Sequence, residues 1–169
     1  MTTLVLTVVG ADRAGIVAQL AEVIAEHGGN WERSELAELS GAFAGIVEVS
    51  VPDDRSDALR AALGVLDGLL TIAVQASHDG ADAETPTATI DVLGNDHAGI
   101  VRDITAVLRE SGLSIERMTT ETREAAMFGG RLFEASVTAS VPASVDLDAV
   151  TAALEKLAAE LQVDVTLAG

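Results

Sequence analysis

Apolar positions recur along this chain in two rhythms, and the changes of rhythm mark out its elements. Residues 4–9 form a short, almost wholly apolar run, as in a buried strand. Ile16, Val17, Leu20, Val23 and Ile24 then recur at helical spacing until Gly28-Gly29, a helix stop. Two runs, 30–39 and 42–51, flank Ser40-Gly41 and predict a hairpin. Leu59, Ala62, Leu63 and Leu66 mark a second helix, and 70–76 a last strand. The same order returns with strands near 87–93, 113–123, 130–141 and 162–168 and helices near 98–111 and 145–161.

The return is a duplication of residues as well as of pattern. GADRAGIV at 10–17 comes back as GNDHAGIV at 94–101, Gly28 as Gly112, and Glu32-Arg33 as Glu116-Arg117. AFAGIVEVSVP (42–52) matches LFEASVTASVP (132–142), the second copy being longer between its hairpin strands. Each copy is a domain of roughly 75–80 residues. The boundaries read as domain one at 1–76, a polar linker SHDGADAETP at 77–86, and domain two at 87–169.

Strand alternation says how each sheet is covered. In the second copy Ile90, Val92, Phe133, Val137, Val141, Val163 and Val165 share one face, and Thr89, Asp91, Ser136, Thr138, Ser140, Asp164 and Thr166 the other. Such a split describes an antiparallel sheet with helices on one side and water on the other. The first copy keeps the inner face but has a less polar outer one, with Val5, Ile46 and Ala73, which a neighbour would cover. The fold class is therefore α+β: two ferredoxin-like βαββαβ domains, each a four-stranded antiparallel sheet with two helices on one face. Small cores and open sheet edges favour association, so the two units are expected to pack on each other or on a second chain, and a homo-oligomer is expected.

Net charge changes the list of partners. With 27 acidic against 10 basic residues, a net −17, the surface repels phosphate backbones and anionic lipid, which argues against direct nucleic-acid or membrane binding. Any gene-control role would run through a protein partner. No cysteine is present, so disulfides and thiolate chemistry are excluded. No window approaches a membrane span and the N-terminus lacks a signal pattern, so a cytoplasmic protein is expected.

The repeated strand–helix corner holds the candidate chemistry. Asp12 falls where an N-cap belongs, before a helix entered near Ala14. Gly15 in the first helical turn forgoes about 1 kcal/mol of helix propensity. Its bareness suits close approach by a ligand, or tight packing of the helix on the sheet. Helix-end N–H groups suit a carboxylate, and a nearby Asp suits an ammonium, as in a free amino acid. An Asp cap and a packing glycine also explain the corner with no ligand at all.

The pattern of apolar strand, G-x-D-R-x-G-I-V, amphipathic helix, G-x-N/S and strand resembles the ACT domain, a ligand-sensing module of amino-acid metabolism. Ala14 and Ala98 stand where its D-R-P-G motif has proline, and His97 where it has arginine. Two such modules are the organisation of proteins resembling the glycine cleavage system transcriptional repressor. The resemblance implies an amino acid, glycine or serine, bound at an interface between modules. Its binding residues would be Gly10, Asp12, Arg13, Ala14, Gly15 and Ile16 with Asn30 at the start of the second strand. In the second copy they would be Gly94, Asp96, His97, Ala98, Gly99 and Ile100 with Ser114. His97 makes a difference between the two sites an expectation.

Other features add little. His27, His78 and His97 have no metal-ligand spacing, and neither metal nor cofactor is expected. Nucleophile motifs and a P-loop are missing around Asp96-His97 and Gly129-Gly130, so the chain reads as non-catalytic. Trp31 is expected in the core, and Met127 and Phe128 at the second hairpin tip. The reading is of a regulatory protein acting on amino-acid metabolism through a regulator or enzyme partner. The alternatives are a ligand-free interaction protein and a detached regulatory subunit of a metabolic enzyme.

Overall fold

The first strand, β1 (Thr2–Ala11), buries Leu4, Leu6 and Val8 completely and turns Thr3, Val5, Thr7 and Val9 to the other face. In the computed structural model, which describes residues 1–66, 68–77, 85–124, 130–161 and 163–168, this strand is the inside of a four-stranded sheet. It is followed by α1 (Ile16–Glu26), β2 (Asn30–Leu39), β3 (Ala42–Val51), α2 (Ser56–Leu63) and β4 (Leu70–Ala76). The strand order is β2-β3-β1-β4, every pairing antiparallel. β2 and β3 join through Ser40 (φ 53°) and Gly41 (φ 83°), the left-handed pair that a two-residue hairpin requires.

The second half repeats this as β5 (Thr87–Asn95), α3 (Ile100–Glu110), β6 (Ser114–Glu124), β7 (Arg131–Ser140), α4 (Leu147–Leu161) and β8 (Val163–Ala168), with order β6-β7-β5-β8. Contacts divide the chain into Met1–Asp82 and Ala83–Gly169, within the stretch assigned as linker. The two ferredoxin-like α+β units predicted from the pattern are present. The hairpin-tip positions Met127 and Phe128, and His78 in the linker, lie outside the described residues.

Each unit has one core. In the first, Leu20 and Ile24 of α1 and Leu59 and Leu63 of α2 meet the inner face of the sheet, with Trp31 half-buried against it. In the second, Ile104 and Leu108 of α3 and Leu154 of α4 do the same. Each such side chain contributes about 1.5–3 kcal/mol by leaving water. Both first helices end alike. Gly28 N–H donates to the Ala25 carbonyl and Gly29 N–H to the Ile24 carbonyl, both at 2.9 Å; Gly112 and Leu113 repeat these bonds to Arg109 and Leu108. Gly28 and Gly112 are left-handed, so this is a glycine-dependent helix stop.

Several boundaries differ from the pattern. Both first helices begin two residues later than expected, at Ile16 and Ile100. Leu66 belongs to a short 3-10 turn, Gly64–Leu66, after α2 has ended at Leu63. β2 and β6 carry matching irregularities, between Trp31 and Arg33 and between Ile115 and Arg117, so register shifts there in both units.

Two glycines are explained by close approach. A Cβ on Gly10 would lie 2.6 Å from the Leu69 carbonyl oxygen, and one on Gly94 would collide with the side chain of Val163. Both sit where the last strand begins beside the end of the first. Gly10→Ala is therefore expected to lower unfolding stability by about 1–3 kcal/mol, the usual cost of overpacking. Gly64→Ala, whose Cβ meets nothing within 4 Å, is the control, and chemical denaturation of both variants is the measurement.

Candidate functional site

The corner is held to the hairpin of its own unit by one backbone bond. Asp12 N–H donates to the Gly41 carbonyl at 2.9 Å, and Asp96 N–H to the Arg131 carbonyl at 2.8 Å. The chain must then turn into the helix, and it does so at Gly15 (φ 87°) and Gly99 (φ 95°). These glycines, not the aspartates, are the N-caps. The expectation that Asp12 caps α1, with Gly15 inside the helix, is thus corrected. A left-handed residue is needed to swing the chain, and an L side chain there costs about 1–2 kcal/mol. The glycine answers that conformation and not tight packing, since a Cβ on Gly15 meets nothing within 4 Å.

Neither helix start is capped by a side chain. Ile16 N–H reaches the Arg13 carbonyl at 3.3 Å, and Ile100 N–H the His97 carbonyl at 3.4 Å, both long. The chain caps elsewhere: at α4, Asp146 Oδ1 accepts from Asp148 N–H at 3.0 Å and Ala149 N–H at 3.5 Å. Asp12, Arg13, Ala14 and Gly15 are exposed, while Ile16 points into the core and Gly10 is half-buried.

The second corner is more crowded. Asp96 lies 3.8 Å from Arg131, whose counterpart in the first unit, Gly41, brings no charge. The Arg102 guanidinium crosses Gly99, 3.1 Å from where its Cβ would be, and pairs with Asp103 at 2.8 Å. That hydrogen bond holds the Asp103 carboxyl below its usual range and raises Arg102, with the charge of His97 a lesser cause on Asp103. His97 Nδ1 is 3.3 Å from the Asn95 carbonyl oxygen, while its Nε2 is buried with no partner. Ala98 is exposed and Ile100 buried. Arg102, Asp103 and Arg131 went unnoticed in the sequence. Their signal was that Arg102-Asp103 stands where the first copy has Ala18-Gln19.

Asn30 and Ser114 are not beside their own corners. Asn30 pairs with Ser50 and Gly10 with Phe43, seven residues apart on β3, or about 23 Å. Ser114 and Gly94 are separated equally along β7. The two parts of the expected site lie at opposite ends of one sheet. The Asn30 amide donates to Glu32 Oε1 at 2.9 Å, and the Ser50 hydroxyl donates to the same oxygen. Two concave surfaces, of about 430 and 520 Å³, lie away from both corners: one between the end of α3 and the start of α4, one on the outer face of the second sheet. Among the described residues no helix is long and apolar enough to cross a membrane.

Family models for the ACT domain match residues 2–80 and 83–164, and the chain belongs to that family as a tandem pair. A crystal structure of an unknown protein from Galdieria sulphuraria is similar over 98% of this chain and 96% of its own, with TM-score 0.89 and 31% identity. A proposed glycine cleavage system transcriptional repressor shares the fold over 99% and 96%, with TM-score 0.70 and 18% identity. The UPF0237 protein of Methanopyrus kandleri is 43% identical over 53 residues, which are 31% of this chain and 59% of that relative.

The Glu32 carboxyl, which accepts from Ser50 first and Asn30 second, is held below the ordinary glutamate range. A depressed pKa stabilises the fold above the unfolded value, and that contribution is lost as pH falls through the folded one. In a carbon-detected NMR titration Glu32 is expected to titrate below the ordinary glutamate range, and Ser50→Ala to move it up towards that range.

Proposed function

We propose that this chain is a non-catalytic regulatory protein that binds a free amino acid, glycine or serine, between ACT modules and acts through a protein partner. The observation that carries the reading is the pair of helix starts left without a side-chain cap, in a chain that does cap α4. Bare helix N–H groups favour a carboxylate. The exposed Asp12 carboxylate stands in the same short loop, with the charge an ammonium group needs. Because Asn30 stands a sheet length from its own corner, it reaches such a ligand only from another module. The tandem ACT organisation supports a regulatory role, and the fold shared with a proposed glycine cleavage repressor makes glycine the first ligand to test.

For the ligand to regulate, it must favour one state of association over another. A ligand-free interaction role has one observation in its favour, that neither of the two concavities described above lies at a corner. The two readings separate in a thermal-shift screen of the twenty amino acids at millimolar concentration, with Trp31 fluorescence as second readout. Stabilisation by glycine or serine is expected, of about 1–3 kcal/mol at ten to a hundred times Kd. Asp12→Ala should weaken it about tenfold. Stabilisation by none of the twenty, with unchanged fluorescence, removes the ligand and leaves the interaction role.

A further inference from the structure

The duplication supplies an internal control for the helix-free face of each sheet. Across the second sheet one outward row runs Glu121, Glu134, Leu93, Asp164. The row at the same place in the first sheet runs Ala37, Ala44, Val9, Thr71. Three acids have become small uncharged residues. In the next row the first sheet has Glu35, Ile46 and Thr7 where the second has Thr119, Ser136 and Asp91, so the acid stands on the edge strand and no longer on the central one. The result is an apolar surface in which Val9 is 49%, Ile46 50% and Leu39 78% exposed. Contiguous exposed apolar surface of this kind marks an interaction site.

We propose that the helix-free face of the first sheet is where two copies of this chain pack against each other, face to face. The charge of the chain argues for this occupant. At net −17 two copies repel, so they meet most easily where acids are fewest, and in the same rows this face carries Glu35 and Glu48 where its duplicate carries Asp91, Glu121, Glu134 and Asp164. The charges left at one end of it include both signs: Arg33 pairs with Glu48 at 2.8 Å, and under a two-fold axis each such pair can meet its opposite on the other copy. The central alanines let the sheets approach to the usual separation of about 10 Å. Four strands and a seven-residue span make a face of about 19 by 24 Å, or roughly 900 Å² for the pair. That lies below the standard size for stable interfaces, which suits a weak, reversible dimer.

Sedimentation equilibrium of the full chain tests this. A monomer–dimer equilibrium is expected in the micromolar range, tightening as salt rises from about 0.02 to 0.5 M and screens the acidic surfaces. Ala44→Glu with Ile46→Ser, which installs the second sheet's own residues at these places, should weaken it at least tenfold while the circular dichroism stays unchanged. Thr138→Glu on the second sheet should leave it unchanged. A chain that stays monomeric at about 200 µM overturns the proposal. So does a dimer that survives the double substitution, or one that Thr138→Glu dissociates. None of these readouts needs an amino acid, so the ligand reading stands or falls separately.

Discussion

Each unit depends on one constraint: the end of its first strand is pinched between two neighbours. Gly10 lies against the Leu69 carbonyl on one side and pairs with Phe43 on the other, and Gly94 repeats this between Val163 and Phe133. Only a residue without a side chain lets all three strands close there. With the strand held, the chain has five residues in which to leave the sheet edge and enter a helix that must bury Leu20 and Ile24 over it. A left-handed residue at Gly15 makes that turn. The uncapped helix start is thus a geometric consequence of closing the sheet, and a ligand-binding role would be built on a feature that folding already requires.

The two copies show how much of each unit belongs to the scaffold. Both keep the pinched glycine, the left-handed cap, the backbone bond from corner to hairpin, the irregular second strand and the glycine stop. What differs lies on surfaces the fold does not constrain. Charged groups gather at the second corner, where Arg131, Arg102 and Asp103 stand, while the first corner has Gly41, Ala18 and Gln19. On the sheet faces acids are more numerous in the second unit, whose Glu121, Glu134 and Asp164 stand where the first has Ala37, Ala44 and Thr71. Such outward positions cost little to change, because surface substitutions away from special features alter stability only slightly. The copies have been free to diverge there without endangering either core.

The sequence by itself determined the order of elements, the limits of β2, β3 and β4, the inner and outer faces, and the duplication. All follow from local periodicity and turn residues, which act over a few positions. It also singled out both corners and the glycines in them. The reasons for the glycines depend on distant partners: Leu69 and Val163, which crowd Gly10 and Gly94, come from the last strands, and the corner that Gly15 turns is tied to Gly41 of the hairpin through Asp12. Tertiary structure alone decided that Asp12 is no cap and that Asn30 sits a sheet length from its corner. It alone brought Arg102 over Gly99 and aligned Ala37, Ala44, Val9 and Thr71 into one bare row. Strand register is a long-range pairing, and a sequence shows which face a residue takes well before it shows who stands beside it.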